Sequence, residues 1–133
     1  MTRAICCTTF LEVTIFSSVG PRRFRVRRAF RQHHARAQEL ILDCGEGVRL
    51  AGMLNLADDN PANKLAILIH GWEGSQDSSY MLSMSSRLLA EGVDVFRLNL
   101  RDHGETHHLN EGMFNSTLID EVIGGIADLQ ARH

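Results

Sequence analysis

The stretch from Leu65 to Gly74, Leu-Ala-Ile-Leu-Ile-His-Gly-Trp-Glu-Gly, constrains the fold more than any other part of the chain. The apolar run Leu65 to Ile69 is too short for a helix and is bounded by turn residues, so it predicts a buried parallel strand. The run stops abruptly at His70-Gly71, and a helical pattern begins a few residues later. A strand ending in a histidine and two glycines puts backbone N–H groups in a loop at the carboxyl end of a sheet, which is where open α/β sheets hold ligands.

The remaining pattern is consistent with such a sheet. From Glu39 to Leu56, two apolar segments flank Cys44-Gly45-Glu46-Gly47 and predict a hairpin with one buried face. Ala57 to Asn63 is a polar turn. Asp77 or Ser78 is placed to cap a helix running to about Glu91, with Met81, Met84, Leu88 and Leu89 at helical spacing and Gly92 closing it. Methionines spaced this way are read as core filling. Val93 to Leu100 predicts a second buried strand, and Arg101-Asp102-His103-Gly104 leaves it at the same sheet edge as His70. A last helix is expected from Ser116 or Thr117, with Leu118, Ile119, Val122, Ile123, Ile126 and Leu129 in one stripe that Gly124-Gly125 weakens. Alternating strands and helices imply a mostly parallel sheet with right-handed crossovers, hence the α/β class.

Charge divides the chain. Residues 1–38 carry eight arginines against one acid, whereas residues 39–133 carry six basic and fifteen acidic residues. The first segment is expected to be basic and weakly ordered, and the second to be the folded domain. Met1 to Gly20 has the outline of a signal peptide, but Glu12 interrupts its apolar region, so a frayed terminus or an early start is the competing reading. Beyond Pro21, seven arginines interleave with Phe24, Val26 and Phe30. They could grip phosphates, but no nucleic-acid motif accompanies them, so a solvated basic helix packed along the acidic body is preferred. Three cysteines fit neither a zinc spacing nor a disulfide framework, and with no apolar run near the length of a spanning helix the expectation is a cytoplasmic protein.

Three groups of residues together carry a family resemblance. They are His-Gly-Trp-Glu-Gly-Ser at His70 to Ser75, Ser78-Ser79-Tyr80, and Arg97-Leu98-Asn99-Leu100-Arg101-Asp102-His103-Gly104. They resemble the YheT-like branch of predicted α/β-fold hydrolases, with its His-Gly-x-Glu-Gly-Ser and its later Asn-x-Arg-x-x-Gly. The resemblance spans about Glu39 to Leu129. It implies that the first two strands pair, that the fourth lies between the second and third, and that residues 39–133 are the amino-terminal half of an α/β-hydrolase domain. By the same resemblance, His70, Gly71, Trp72, Glu73 and Gly74 form an oxyanion loop in which the Trp72 N–H is the expected donor, and Arg101, Asp102, His103 and Gly104 form a second loop beside it.

No triad member carries over. The family's nucleophile sits in Gly-x-Ser-x-Gly, which is absent here, and its acid and histidine follow that serine. Ser75, Ser78, Ser79, Ser83, Ser85 and Ser86 are read as cap and surface residues. His70 is expected to brace its loop through hydrogen bonds, with a lone base as the alternative. His103, His107 and His108 invite a metal reading, but they fall in a polar loop, so no metal and no cofactor is expected. Glu73 and Asp102 are expected to hold the two loops together through hydrogen bonds, the structural alternative to a general acid.

Two functions follow. One is a serine-type hydrolase of ester or acyl substrates, represented by its oxyanion half and inactive alone, since triad members act as a unit. The alternative is a non-catalytic remnant or protein-binding module that self-associates through an open sheet edge. Nucleic acid is the least favoured partner.

Overall fold

The computed structural model describes residues 21–60 and 63–133. The signal-like reading of residues 1–20 lies outside them. The element order is α1 (Pro21–Arg36), β1 (Gln38–Asp43), β2 (Arg49–Asn55), β3 (Leu65–Ile69), α2 (Ser79–Ala90), β4 (Asp94–Leu98) and α3 (Ile119–Arg132). One sheet runs in the order β1-β2-β4-β3. Within it β1 and β2 pair antiparallel, as do β2 and β4, while β3 lies parallel to β4 with Ile67 opposite Phe96. The fourth strand thus sits between the second and third, as the resemblance implied.

Two cores flank this sheet. Leu42, Leu50, Leu54, Phe96, Leu98 and Leu129 pack between the sheet and α3, and Phe30, Leu82, Leu89 and Val95 pack with α1 and α2. Because the second face is also covered, by α1 at Asn55 and by the segment after β4 at Ala51, β2 is buried at these two residues as well as at Leu50 and Leu54, not on the one face its alternation predicted. Every residue of β4 is buried, whereas β3 is only partly so and Ile69 is exposed. Among the described residues β3 has β4 as its only neighbour, so the most apolar run in the chain forms an edge.

The helices differ from expectation at their ends. Ser78 is the N-cap residue of α2 but makes no side-chain capping bond. Its Oγ instead accepts the Ser75 N–H at 2.9 Å, and the Asp77 carboxylate is occupied by Arg97. Ser85 is fully buried, not a surface residue, and satisfies its hydroxyl on the Met81 carbonyl four residues back. In α3 the apolar stripe is wider than the face that is covered, which leaves Ile119 and Ile123 exposed. Gly124 has a packing reason to interrupt that helix: a Cβ there would stand 2.4 Å from the Cys44 carbonyl oxygen, so only glycine lets α3 approach the β1–β2 turn.

The arginine-rich segment is the helix α1. It packs against α2, and Phe30, 1% exposed, is its buried side chain. Burying that ring contributes roughly 2–3 kcal/mol. Beneath it lies Arg97 of β4, fully buried, with its guanidinium carbon 4.8 Å from the Phe30 centroid. Arg97 Nη1 donates to the Gln76 carbonyl (2.8 Å) and to Asp77 Oδ1 (3.0 Å), Nη2 reaches Asn55 Oδ1 (3.4 Å), and Nε has no partner among the described residues. One buried cation therefore joins the basic helix, the central strand and the loop after β3.

Candidate functional site

Since β3 and β4 are parallel, the segments that leave them, 70–78 and 99–118, emerge at the same sheet end. His70 is the first residue beyond β3 and is 4% exposed. The Leu100 N–H donates to its Nε2 at 3.1 Å, so the ring proton resides on Nδ1, which donates to the Gly71 carbonyl at 2.9 Å. The bond from Leu100 also explains why β4 stops two residues short of the predicted Leu100: that N–H serves the histidine instead of a ladder. Burial holds the His70 pKa below the ordinary imidazole value, against the favourable pull of the Gly71 carbonyl, and neighbouring His103 adds to the depression.

Residues 71–74 form a turn, closed by the Gly74 N–H on the Gly71 carbonyl at 3.0 Å and left-handed at Glu73 (φ 51°). The Gly71 N–H donates to the Tyr80 hydroxyl at 2.8 Å. The Trp72 N–H has no acceptor among the described residues, and the Trp72 side chain is 84% exposed. Beyond the turn, the Gln76 N–H is held by Asn99 Oδ1 (2.8 Å), and Asn99 is itself buried just past β4.

In the second loop His103 stacks on His70 with centroids 4.7 Å apart, meets Phe114 edge-on at 4.8 Å, and places Nδ1 2.8 Å from the Arg101 carbonyl oxygen. Arg101 grips both carboxylate oxygens of Glu121 on α3 and donates to the Glu111 carbonyl (2.6 Å), pinning the loop to the last helix. Asp102 sits in the left-handed region (φ 59°), and its carboxylate takes His107 Nδ1 at 2.5 Å, a hydrogen bond that raises the pKa of the exposed His107. Gly104 lies against the Asn99 amide.

The expectation that Glu73 and Asp102 join the two loops is therefore corrected. Asp102 is spent within its own loop, and Glu73 lines a cleft of about 250 Å³ with Ser75 and, across from them, Arg23 and Arg27 of α1. The join is made by His70 with Leu100, by Asn99 with Gln76, and by the His70–His103 stack. Among the described residues no group of three His, Cys, Asp or Glu side chains is arranged to hold a metal ion. Sequence reading missed the roles of Tyr80, Asn99 and Arg97. All three lie inside the quoted motifs, but nothing in their spacing pointed to the loop.

Neither a protein-family profile nor a curated protein sequence matches this chain. Solved structures do. The esterase Pf2001 of Pyrococcus furiosus matches with a TM-score of 0.59 and 24% identity over 73% of this chain and 37% of its own. XC6422 of Xanthomonas campestris, an α/β serine hydrolase without a lid, matches with a TM-score of 0.55 and 22% identity over 71% of this chain and 43% of its own. This is part of an α/β-hydrolase fold. A further neighbour, an α/β serine hydrolase homologue from Coxiella burnetii, has a TM-score of 0.51 and 18% identity over 71% of this chain and 42% of its own. The chain thus spans about two fifths of the length of the α/β-hydrolase structures it matches. Among the described residues no helix is long and apolar enough to cross a membrane.

Proposed function

We propose that this chain is the oxyanion-loop half of a cytoplasmic serine-type hydrolase of the YheT-like branch, acting on ester or acyl substrates once a nucleophile, acid and histidine are supplied by further polypeptide. The observation that carries the reading is the Trp72 N–H: among the described residues it lacks an acceptor, in a turn whose Gly71 N–H, Gly71 carbonyl and Gly74 N–H are all engaged, at the sheet end where α/β folds bind ligands. A backbone donor held this way stabilises a developing oxyanion without reorganising during the reaction, and loss of one such donor lowers kcat about 100- to 1000-fold.

The test begins with the intact mass of the protein in its own cells, against 14.9 kDa for this chain. A longer product should label with a fluorophosphonate and hydrolyse p-nitrophenyl esters. Trp72→Pro, which deletes the donor, should lower its kcat about 100-fold. The 133-residue chain alone should do neither. Hydrolysis by the short chain, or a longer product inert to both reagents, would refute the proposal. The exposed β3 edge favours the second reading, a module that pairs with another strand, if the short chain is the one cells keep.

A further inference from the structure

We infer that Tyr80 is a positioning residue that aims the Trp72 N–H by acting on Gly71, an inference that rests on the oxyanion reading above. Gly71 has no Cβ, so its own sterics leave the two peptide planes beside it loosely determined. Both planes are fixed from outside. The plane between Gly71 and Trp72 is held at its oxygen, where the Gly71 carbonyl accepts from His70 Nδ1 (2.9 Å) and from the Gly74 N–H (3.0 Å). A trans peptide directs its N–H opposite to its carbonyl, so these two bonds turn the Trp72 N–H away from the inside of the turn. The plane between His70 and Gly71 is held at its hydrogen by the Tyr80 hydroxyl at 2.8 Å.

Tyr80 can do this because it rides on a rigid element. It is the second residue of α2, whose neighbours Ser79, Met81 and Leu82 are buried. The turn is shaped around its hydroxyl: a Cβ at Gly74 would stand 2.8 Å from Tyr80 Oη, and the nearest neighbour of a Cβ at Gly71 would be the same atom at 3.9 Å. Tyr80 thus occupies the Gly71 N–H, leaves Trp72 as the donor, and makes the start of α2 the reference against which the donor is set.

The first measurement uses the 133-residue chain. Tyr80→Phe keeps the ring and removes the acceptor, so the Gly71 amide should move upfield and exchange about five- to tenfold faster, while Val95 and Phe96 on the central strand stay unchanged. Gly74→Ala keeps the tyrosine but pushes on its hydroxyl and should disturb the Gly71 amide in the same direction. Tyr80 is the only tyrosine, so 3-fluorotyrosine gives one reporter, whose ¹⁹F resonance should shift in Gly74→Ala. A Gly71 amide unchanged in both variants overturns the tether.

The second measurement uses the hydrolytically active product. Tyr80→Phe should lower kcat about tenfold with KM nearly unchanged, and should add little to Trp72→Pro, because it acts through that donor. Full additivity of the two losses overturns the positioning role. If no form of the protein hydrolyses esters while the Gly71 amide responds as expected, the oxyanion reading fails and the tether stands.

Discussion

Removing the Asp77 carboxylate should destabilise this protein more than removing the cation it serves. The Arg97 side chain is 0% exposed, with Asp77 as its one anionic partner among the described residues, 3.0 Å from Nη1. Taking one partner from a fully buried pair costs about 3–5 kcal/mol, because a charge is left without compensation. The Asp77 side chain is 39% exposed, so water screens part of that loss, and about 2 kcal/mol is the expected cost of Asp77→Ala. Arg97→Met removes the ion itself. Asp77 can then turn to water, Phe30 keeps an apolar neighbour, and only the Gln76 carbonyl and Asn55 Oδ1 lose a donor, for about 1 kcal/mol. With the ion gone Asp77 has no interior role, so the double variant should match Arg97→Met. The coupling is then about 2 kcal/mol, and adding Arg97→Met to Asp77→Ala restores about 1 kcal/mol. Urea unfolding followed by circular dichroism, at one protein concentration with m-values compared, reads this directly. A double variant less stable than Asp77→Ala would refute the reasoning.

Further outcomes follow from the site and the packing. In an NMR pH titration His70 should stay neutral below the ordinary imidazole value near ~6.5, whereas His107 should remain protonated above it. Between that value and the lower native one the unfolded state binds a proton at His70 that the native state refuses. The His70 contribution to stability is therefore present at neutral pH and is lost as pH falls through that window; a His70 titrating normally would count against its burial. Gly124→Ala should lower Tm by roughly 3–8 °C, because a clash with the Cys44 carbonyl outweighs the gain in helix propensity; a raised Tm would contradict the close approach of α3. Ile69→Lys, at an exposed position on the β3 edge, should reduce self-association of the isolated chain in sizing with little change in unfolding midpoint.

The sheet was legible because its signals are local and repetitive. The β1–β2 alternation and the stripe on α3 each repeat one period, and Leu65–Ile69 is a short apolar run bounded by turn residues; a single sequence displays both kinds of signal well. Burial was less legible, since it depends on what lies on the other side. Ala51 and Asn55 read as the outer face of a hairpin, and Asn55 became interior under α1 and Ala51 beside the segment after β4, while Leu65–Ile69 read as a buried strand and is only partly buried, with β4 its one neighbour among the described residues. In the candidate site, the motifs marked the loops but not their tethers. Tyr80 reaches back nine residues to Gly71 and Leu100 reaches back thirty to His70, distances set by where α2 and β4 lie. The place of Arg97 was not legible at all: it is among the most deeply buried side chains of the domain, and nothing in its spacing announced that.

That burial bears on how firmly α1 is attached. Most helices resist leaving a core in proportion to the apolar surface they uncover. When α1 lifts, Phe30 is exposed at a penalty, but the guanidinium beneath it regains its hydration, and the two effects oppose each other. The outward face of the helix meanwhile carries arginines such as Arg25, Arg28 and Arg31, all exposed. The helix is thus a latch with a weak spring: the first part of the molecule expected to open in hydrogen exchange, and one that a polyanion could draw off while the sheet stays intact.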